Sequence, residues 1–203
     1  MSEPHAGRFE FRAFARDFGI TEIRMRERSD RPRIRESAEV YVLSRNESDH
    51  NVKIRSDTLD IKKLIGERDD LEQWLPVVKE DFPLKASVLQ DTVFPALNVI
   101  PEEMLREAYT ARQLIEDLVM SNAELTAVVV FKTRFGFLID DCPCEIARVQ
   151  VNGADIMTAS VESTDPERVT RLIAELCLSP WENTSYPVAL KRITGLLPVP
   201  LPL

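Results

Sequence analysis

A chain of 203 residues with 44% hydrophobic side chains is long enough to bury one substantial core, as one domain or one domain with a small appendage. Its net charge of −8 argues against general nucleic-acid binding through bulk charge. No apolar run approaches the roughly 18 residues of a membrane span, and the start lacks the apolar core of a signal peptide. Three cysteines, an odd number, favour reduced thiols in a cytoplasmic protein and fall short of a zinc pattern.

The first 80 residues predict a run of about five antiparallel strands. Over residues 8–16 the side chains alternate between an apolar face that includes Phe9 and Phe11 and a charged face that includes Glu10 and Arg12. The other elements predicted in this part are a short helix near 20–28 and strands over 36–44 and 71–78.

Residues 51–62 predict a hairpin of two short strands with a tight turn at positions 56–57. Its polar face carries three cations and one acid, which are Lys53, Arg55, Lys62 and Asp60. Residues two apart on a strand lie about 6.6 to 6.8 Å apart, close to the spacing of neighbouring phosphates in a polyphosphate chain. A row of cations at this spacing suits an extended polyanion, and the solvated side of an ordinary amphipathic hairpin is the alternative interpretation.

The middle of the chain has helical periodicity over 84–97 and over 101–121, with Pro101 at the predicted start of the second helix. We expect these segments to form a helical insertion that packs on the sheet.

The second half returns to the strand pattern and ends in helices. The predicted elements are strands over 127–134, 144–151 and 156–163, a turn at the F-G-F of 135–137, a hairpin turn at Asn152-Gly153, and helices over 165–178 and 186–193. The Pro-broken apolar tail after residue 195 either packs or mediates self-association, so a homodimer is an open alternative.

Many strands, short turns and charged side chains on one face predict an α+β fold built on a closed or nearly closed antiparallel barrel with a polar interior. An open sheet with its charged face in solvent is the alternative. The expected organisation is one domain over 1–203, made of β-rich halves 8–80 and 124–163, the helical insertion 84–122 and C-terminal helices 165–195.

The order of the charged motifs resembles the CYTH superfamily, the triphosphate tunnel metalloenzymes. That family opens with an acid-x-acid-x-Lys strand, and this chain has Arg8-x-Glu10-x-Arg12 in that place. Later basic strands are similar to V-K-I-R at 52–55 and L-D-I-K at 59–62, and Lys132-Thr-Arg134 matches a further basic strand end. Acids on the last strands have counterparts in Glu145 and Glu162, and T-S-Y-P-V-A-L at 184–190 is similar to the family's C-terminal end.

The resemblance implies a tunnel of about eight antiparallel strands that binds a small polyanion, either triphosphate or a triphosphate-bearing molecule such as a nucleotide. In this scheme Mg²⁺ or Mn²⁺ assists hydrolysis of the terminal phosphoryl group. The phosphate-binding residues implied are Arg12, Lys53, Arg55, Lys62, Lys132 and Arg134. The metal ligands implied are Glu10, Glu145 and Glu162.

Two departures from the family pattern bear on activity, because Arg8 replaces an acid and no second acid stands beside Glu162. Fewer carboxylates leave a hard divalent cation dependent on the phosphates of the ligand. Three functions therefore stay open: a triphosphate hydrolase, a non-catalytic nucleotide or polyphosphate-binding module on the same fold, and an interaction protein in which the channel is scaffold.

Overall fold

A computed structural model describes residues 7–29, 31–101 and 103–202. Eight strands form a closed antiparallel barrel, and two short strands pair in a separate sheet. Five helices in these residues complete the α+β fold. The predicted closed barrel is confirmed, and the open-sheet alternative is wrong.

The bounds of the strands place five of them in the first 81 residues, as predicted. The strands are β1 (Arg8–Ala15), β2 (Arg33–Ser44), β3 (Glu47–Arg55), β4 (Thr58–Arg68), β5 (Leu71–Asp81), β6 (Leu84–Lys85), β7 (Ala108–Tyr109), β8 (Leu125–Ile139), β9 (Cys142–Val151) and β10 (Ala154–Ser163). Around the barrel the strand order is β1-β10-β9-β8-β2-β3-β4-β5, and β6 pairs with β7 in the separate sheet. The helices are α1 (Gly19–Arg28), α2 (86–96), α3 (111–119), α4 (Pro166–Glu175) and α5 (Tyr186–Ile193). Both α2 and α3 contain a π-helical turn, over Leu89–Val93 and Leu114–Val119.

Two tight turns set the register of their hairpins. Ser56 and Asp57 both have positive φ, at 49° and 60°, and Asn152 and Gly153 have φ of 49° and 77°. Two successive residues in this region match the twist of the flanking strands, which is why such turns join hairpins. The turns predicted at 56–57 and 152–153 are confirmed.

The described residues divide into two compact units, of which unit 2 comprises Ala38–Lys63 and Pro76–Val130 and unit 1 the rest. In unit 1 the apolar face of β1, β9 and β10 packs against α1 and α4, with Phe11, Met25, Ile146, Val161 and Leu172 all buried. Because helices cover this face, the opposite, charged face of these strands is the inner face of the barrel. Each fully buried aliphatic side chain stabilises the fold by about 1.5–3 kcal/mol.

In unit 2 the apolar faces of both hairpin strands pack against α2 and α3. Val52, Ile54, Leu59 and Ile61 share one buried cluster with helix residues such as Phe94. The predicted division of the hairpin into an apolar and a polar face is confirmed, and the polar face is again the inner one.

Two sequence predictions about element ends are wrong. The helix predicted from Pro101 begins at Ala111 instead, because Thr110 caps it and forms a capping box with Gln113; position 102 of that prediction lies outside the described residues. The predicted F-G-F turn is part of β8, which continues to Ile139. Phe135 and Phe137 both pack against the apolar cluster of unit 1, which is the two-residue repeat of a strand.

The C-terminal helices agree with the sequence pattern. Asp165 caps α4, since its Oδ1 accepts hydrogen bonds from the backbone N–H groups of Glu167 at 2.9 Å and Arg168 at 3.4 Å. In the described part of the chain, no helix combines the length and apolar character that crossing a membrane requires.

Candidate functional site

The centre of the charged face in unit 1 is Arg12 on β1. Arg12 is 7% exposed as a residue, and Glu10 on the same strand is 9% exposed. Arg12 Nε donates to Glu10 Oε1 at 2.7 Å, and Nη1 donates to Thr158 Oγ1 at 3.3 Å. Burial alone would lower the pKa of Arg12, but the surrounding groups, Glu10 above all, outweigh it and raise the pKa. Arg12 is therefore a permanent buried cation.

Strand register brings the predicted acids of β9 and β10 to this arginine. Arg12 lies opposite Ser160 on β10, and Ser160 lies opposite Glu145 on β9. The small serine leaves the space between them open, so Arg12 Nη1 comes within 3.6 Å of Glu145 Oε1. Glu162 lies opposite Glu10, and its Oε2 is 3.7 Å from Arg8 Nη1.

The backbone of Arg12 is held by the segment before α5. The Arg12 N–H donates to Asn183 Oδ1 at 2.8 Å, and the Arg12 carbonyl accepts from the Thr184 N–H at 2.7 Å. The Asn183 amide nitrogen also donates to the carbonyl of Asp70 at 2.6 Å. These hydrogen bonds fix the position of the Arg12 backbone on the inner face.

Tyr186, at the start of α5, carries two cations on its ring. Lys132 Nζ lies 3.7 Å and Arg12 Cζ 4.8 Å from the ring centroid. Phe14 packs edge-on to the same ring, with centroids 5.2 Å apart. An aromatic face attracts cations electrostatically, so Tyr186 keeps two like charges in one place at low cost.

Two predicted cations lie on β8, in the inner face of unit 1. Lys132 is 5% exposed although it is charged. Arg134, two residues further, has a buried Nε with no hydrogen-bond partner among the described residues. A buried donor without a partner costs about 1–3 kcal/mol of folding free energy. A ligand that places an acceptor beside this nitrogen would remove that cost.

Glu72 on β5 completes the acidic part of this face, and the sequence analysis missed it. It lies opposite Glu10 in the barrel register, and its Oε2 accepts from Trp74 Nε1 at 2.9 Å. Burial first, and then the neighbouring acids Glu10 and Glu67, raise the pKa of Glu72 to about 7, against the lowering effect of the Trp74 hydrogen bond. At neutral pH this side chain is an equilibrium mixture of acid and carboxylate.

The predicted cations of unit 2 lie on the inner face of the hairpin. Arg55 lies between two acids, with Nη1 3.6 Å from Glu39 Oε1 and Nη2 3.6 Å from Asp60 Oδ2. Glu39 is fully buried and also accepts a hydrogen bond from the Tyr41 hydroxyl at 2.9 Å.

Lys53 lies two residues before Arg55 on β3, on the same inner face of the hairpin. Its pKa is lowered, mainly by burial and further by Lys62 and Arg55, while Glu39 and Asp60 oppose that change. Three cations thus share one partly desolvated face in the hairpin, with two acids to balance them.

The described residues do not form a metal centre on their own. In residues 7–29, 31–101 and 103–202, no group of three or more His, Cys, Asp or Glu side chains is arranged to hold a metal ion. Each predicted ligand lies instead beside an arginine: Glu10 and Glu145 beside Arg12, and Glu162 beside Arg8.

Three charged or aromatic residues at these sites were not singled out in the sequence as site residues: Glu39, Glu72 and Tyr186. For Glu39 the sequence held a signal, because an acid stands among the apolar residues of β2. Glu72 had no such signal, because its place depends on which strand pairs with β1.

The fold belongs to the class of closed eight-stranded antiparallel barrels, here with a charged inner face. Among solved structures, a Hippeastrum protein described as a candidate adenylyl cyclase with a dominant triphosphatase activity superposes with a TM-score of 0.54. The two are 11% identical, and the match covers 96% of this chain and 98% of that one. This likeness shows the fold.

Two further structures are similar at lower scores. A conserved hypothetical protein of Pyrococcus furiosus gives a TM-score of 0.49 at 14% identity, covering 88% of this chain and 98% of that one. A candidate adenylate cyclase of Bacillus halodurans gives 0.46 at 11% identity, covering 86% and 90%. No protein-family profile and no curated protein matches the sequence.

Proposed function

We propose that the protein is a divergent relative of the triphosphate tunnel enzymes and binds triphosphate, or a small molecule that bears one, on the inner face of its barrel. The observation that carries the proposal is Arg134, whose buried Nε has no hydrogen-bond partner among the described residues. Lys132 on the same strand is also buried. A phosphate oxygen supplies the acceptor that this donor lacks.

The hairpin of unit 2 supports the same ligand class. Lys53, Arg55 and Lys62 gather positive charge on a face where burial and mutual repulsion lower the pKa of Lys53. Perturbed groups of this kind concentrate at functional sites. Arginine binds phosphate oxygens through two parallel hydrogen bonds, and lysine adds a compact charge.

Hydrolysis of the terminal phosphoryl group is the second candidate function. The row of acids across three strands, Glu72, Glu10 and Glu162, is the feature that favours it. These three carboxylates are not arranged as a metal centre in the described residues. The expectation of Mg²⁺ or Mn²⁺ therefore rests on the family resemblance. The alternative is a binding module without turnover, for which the arginine-paired acids Glu10, Glu145 and Glu162 are an argument.

Calorimetric titration with inorganic triphosphate tests the binding proposal. We expect the Lys53→Ala/Arg55→Ala double variant and Arg134→Gln each to lose at least about tenfold in affinity, the equivalent of one charge-assisted hydrogen bond. Lys63→Ala is the matched control, since Lys63 is exposed beside Lys62 on the opposite face of β4. Wild-type protein that fails to bind triphosphate, or variants that bind it as tightly as wild type, would refute the proposal.

Phosphate release separates the hydrolase from the binding module. Inorganic triphosphate, ATP and thiamine triphosphate are incubated with Mg²⁺ or Mn²⁺, with and without EDTA, for wild type and Glu162→Ala. Turnover that EDTA and the variant both abolish establishes the hydrolase. Binding without turnover under every condition establishes the module.

A further inference from the structure

A cavity of about 540 Å³ lies in unit 1, bordered by the turn between β4 and β5, by α4 and by residues 179–183. This volume falls in the range of sites that hold small organic molecules, roughly 300–1,000 Å³. Its walls form an apolar floor and an acidic rim, and none of the wall residues that the structure describes is Lys, Arg or His. The cavity therefore differs in chemistry from the cations proposed to bind phosphate.

The floor of the cavity is apolar and contains an aromatic ring. Phe11 on β1 and Leu71 on β5 are buried there, and the half-buried Ile173 and Trp181 pack against the same apolar cluster. Trp181 contacts the ring of Phe18 edge-on, with centroids 5.2 Å apart. A hydrocarbon chain on this floor would be removed from water, and an indole ring also attracts a cation.

The rim of the cavity carries more negative charge than the protein neutralises. Five carboxylates line it, those of Glu67, Asp69, Asp70, Glu72 and Glu182. Arg68 Nε lies 3.4 Å from Asp69 Oδ2, and Arg192 donates two hydrogen bonds of 2.9 Å to Glu182. The other three carboxylates form no ion pair within residues 7–29, 31–101 and 103–202.

Mutual repulsion of the acids is visible at Glu72. Burial first, and then the neighbouring Glu10 and Glu67, raise the pKa of this side chain. A cation that enters the cavity relieves this repulsion. The carboxylates are spread along the rim, and the described residues hold no group of three acids arranged around one metal ion. Separated positive charges on one flexible ligand therefore suit the rim better than a single ion.

Asn183 fixes the walls of the cavity. Its Nδ2 donates to the carbonyl oxygens of Asp70 at 2.6 Å and Glu10 at 3.4 Å, and its Oδ1 accepts from the Arg12 N–H at 2.8 Å. These hydrogen bonds join the β4–β5 turn, β1 and the segment before α5. A ligand thus meets walls that are already in place, which lowers the entropic cost of binding.

We propose that this cavity binds a polyamine, a flexible hydrocarbon chain that carries two or more ammonium groups. The methylene groups lie on the apolar floor, one ammonium group contacts the Trp181 ring, and the others pair with the carboxylates of the rim. The cavity is lined by none of the proposed phosphate-binding residues, so the inference does not depend on triphosphate binding.

Calorimetric titration with spermidine at low ionic strength tests the inference. The Glu67→Gln/Asp70→Asn double variant should lose about tenfold in affinity, because two charge-assisted contacts are removed. Glu80→Gln/Asp91→Asn is the matched control. It removes the same two kinds of carboxylate at exposed positions outside the cavity, and it should bind spermidine as wild type does.

A second pair of variants adds a positive charge instead of removing negative ones. Thr170 is exposed on α4 and lines the cavity. Thr170→Lys places an ammonium group among the acids of the rim and should lower spermidine affinity about tenfold. Thr164→Lys adds the same charge at an exposed position outside the cavity and should change the affinity less than twofold.

Two diamines test the apolar floor with wild-type protein. Diaminobutane and diaminooctane, each with its amines at the two chain ends, carry the same two charges, so attraction by charge alone predicts similar affinities. We expect diaminooctane to bind at least about tenfold more tightly, because four more methylene groups contact the floor.

The outcomes decide the inference without reference to the proposed function. Wild-type protein that does not bind spermidine overturns it. Equal losses in the two double variants also overturn it, since they would indicate attraction by net charge alone, and so do equal affinities for the two diamines. Titration of the same proteins with inorganic triphosphate tests the proposed function separately.

Discussion

Replacing Glu72 by glutamine removes a half-buried acid whose ionisation opposes folding. The side chain lies opposite Glu10 on the inner face, and burial raises its pKa from 4.5 to about 7. Glutamine keeps an oxygen that can accept the hydrogen bond from Trp74 Nε1. The substitution therefore removes the charge and leaves the packing almost unchanged.

The size and sign of the effect follow from this pKa. Glu72 releases its proton near pH 4.5 in the unfolded chain and near pH 7 in the folded protein. Its contribution to the free energy of unfolding is therefore largest below pH 4.5 and is lost as the pH rises through about 7. At about 1.36 kcal/mol per pH unit, the complete loss corresponds to about 3 kcal/mol of unfolding free energy. Glu72→Gln should be more stable than wild type by about this amount at pH 8 and only slightly more stable at pH 5.

Urea unfolding followed by tryptophan fluorescence at pH 5, 6, 7 and 8 measures this difference. Glu80→Gln is the control, because Glu80 lies on the same strand but is exposed. A free-energy difference between Glu72→Gln and wild type that stays constant from pH 5 to pH 8 would refute the reasoning, as would a control that behaves like the variant.

Two further predictions concern Tyr186 and the thiols. Tyr186→Leu should weaken triphosphate binding about three- to tenfold in calorimetric titration, because the ring that holds Arg12 and Lys132 together is gone, while Tyr186→Phe should bind as wild type does; equal affinities in all three proteins would contradict this role. Burial, with a smaller effect of Cys142, raises the pKa of Cys144 to about 12, so this thiol stays protonated at pH 8. Iodoacetamide at pH 8 should therefore alkylate the half-buried Cys177 and not Cys144, as measured by mass spectrometry. Labelling of both thiols at the same rate in the native protein is the opposing result.

Alternation along single strands made much of this fold predictable. The apolar and charged faces of β1 and of the hairpin follow from a repeat of two residues. Glu10 and Arg12 could therefore be assigned to the charged face of β1, and Lys53 and Arg55 to that of β3, without knowledge of the neighbouring strands. Tight turns with Asp, Asn or Gly residues fixed the hairpins locally.

Features that depend on distant pairing were not predictable in this way. The role of Glu72 arises because β5 lies beside β1, a consequence of barrel closure. Periodicity likewise extended the helix back to Pro101, although the capping side chain of Thr110 decides where α3 begins. The pairing of Glu145 with Arg12 depends on Ser160 in the strand between them.

The position of β1 has a consequence for synthesis on the ribosome. This strand is made before the other described strands, yet it pairs along nearly its whole length with β10, and its Arg12 N–H bonds to a residue 171 positions later. Glu10 and Arg12 therefore stay hydrated until β10 and the segment before α5 have also been made. Since non-local strand pairing must wait for both partners, barrel closure is a slow event that waits for β10.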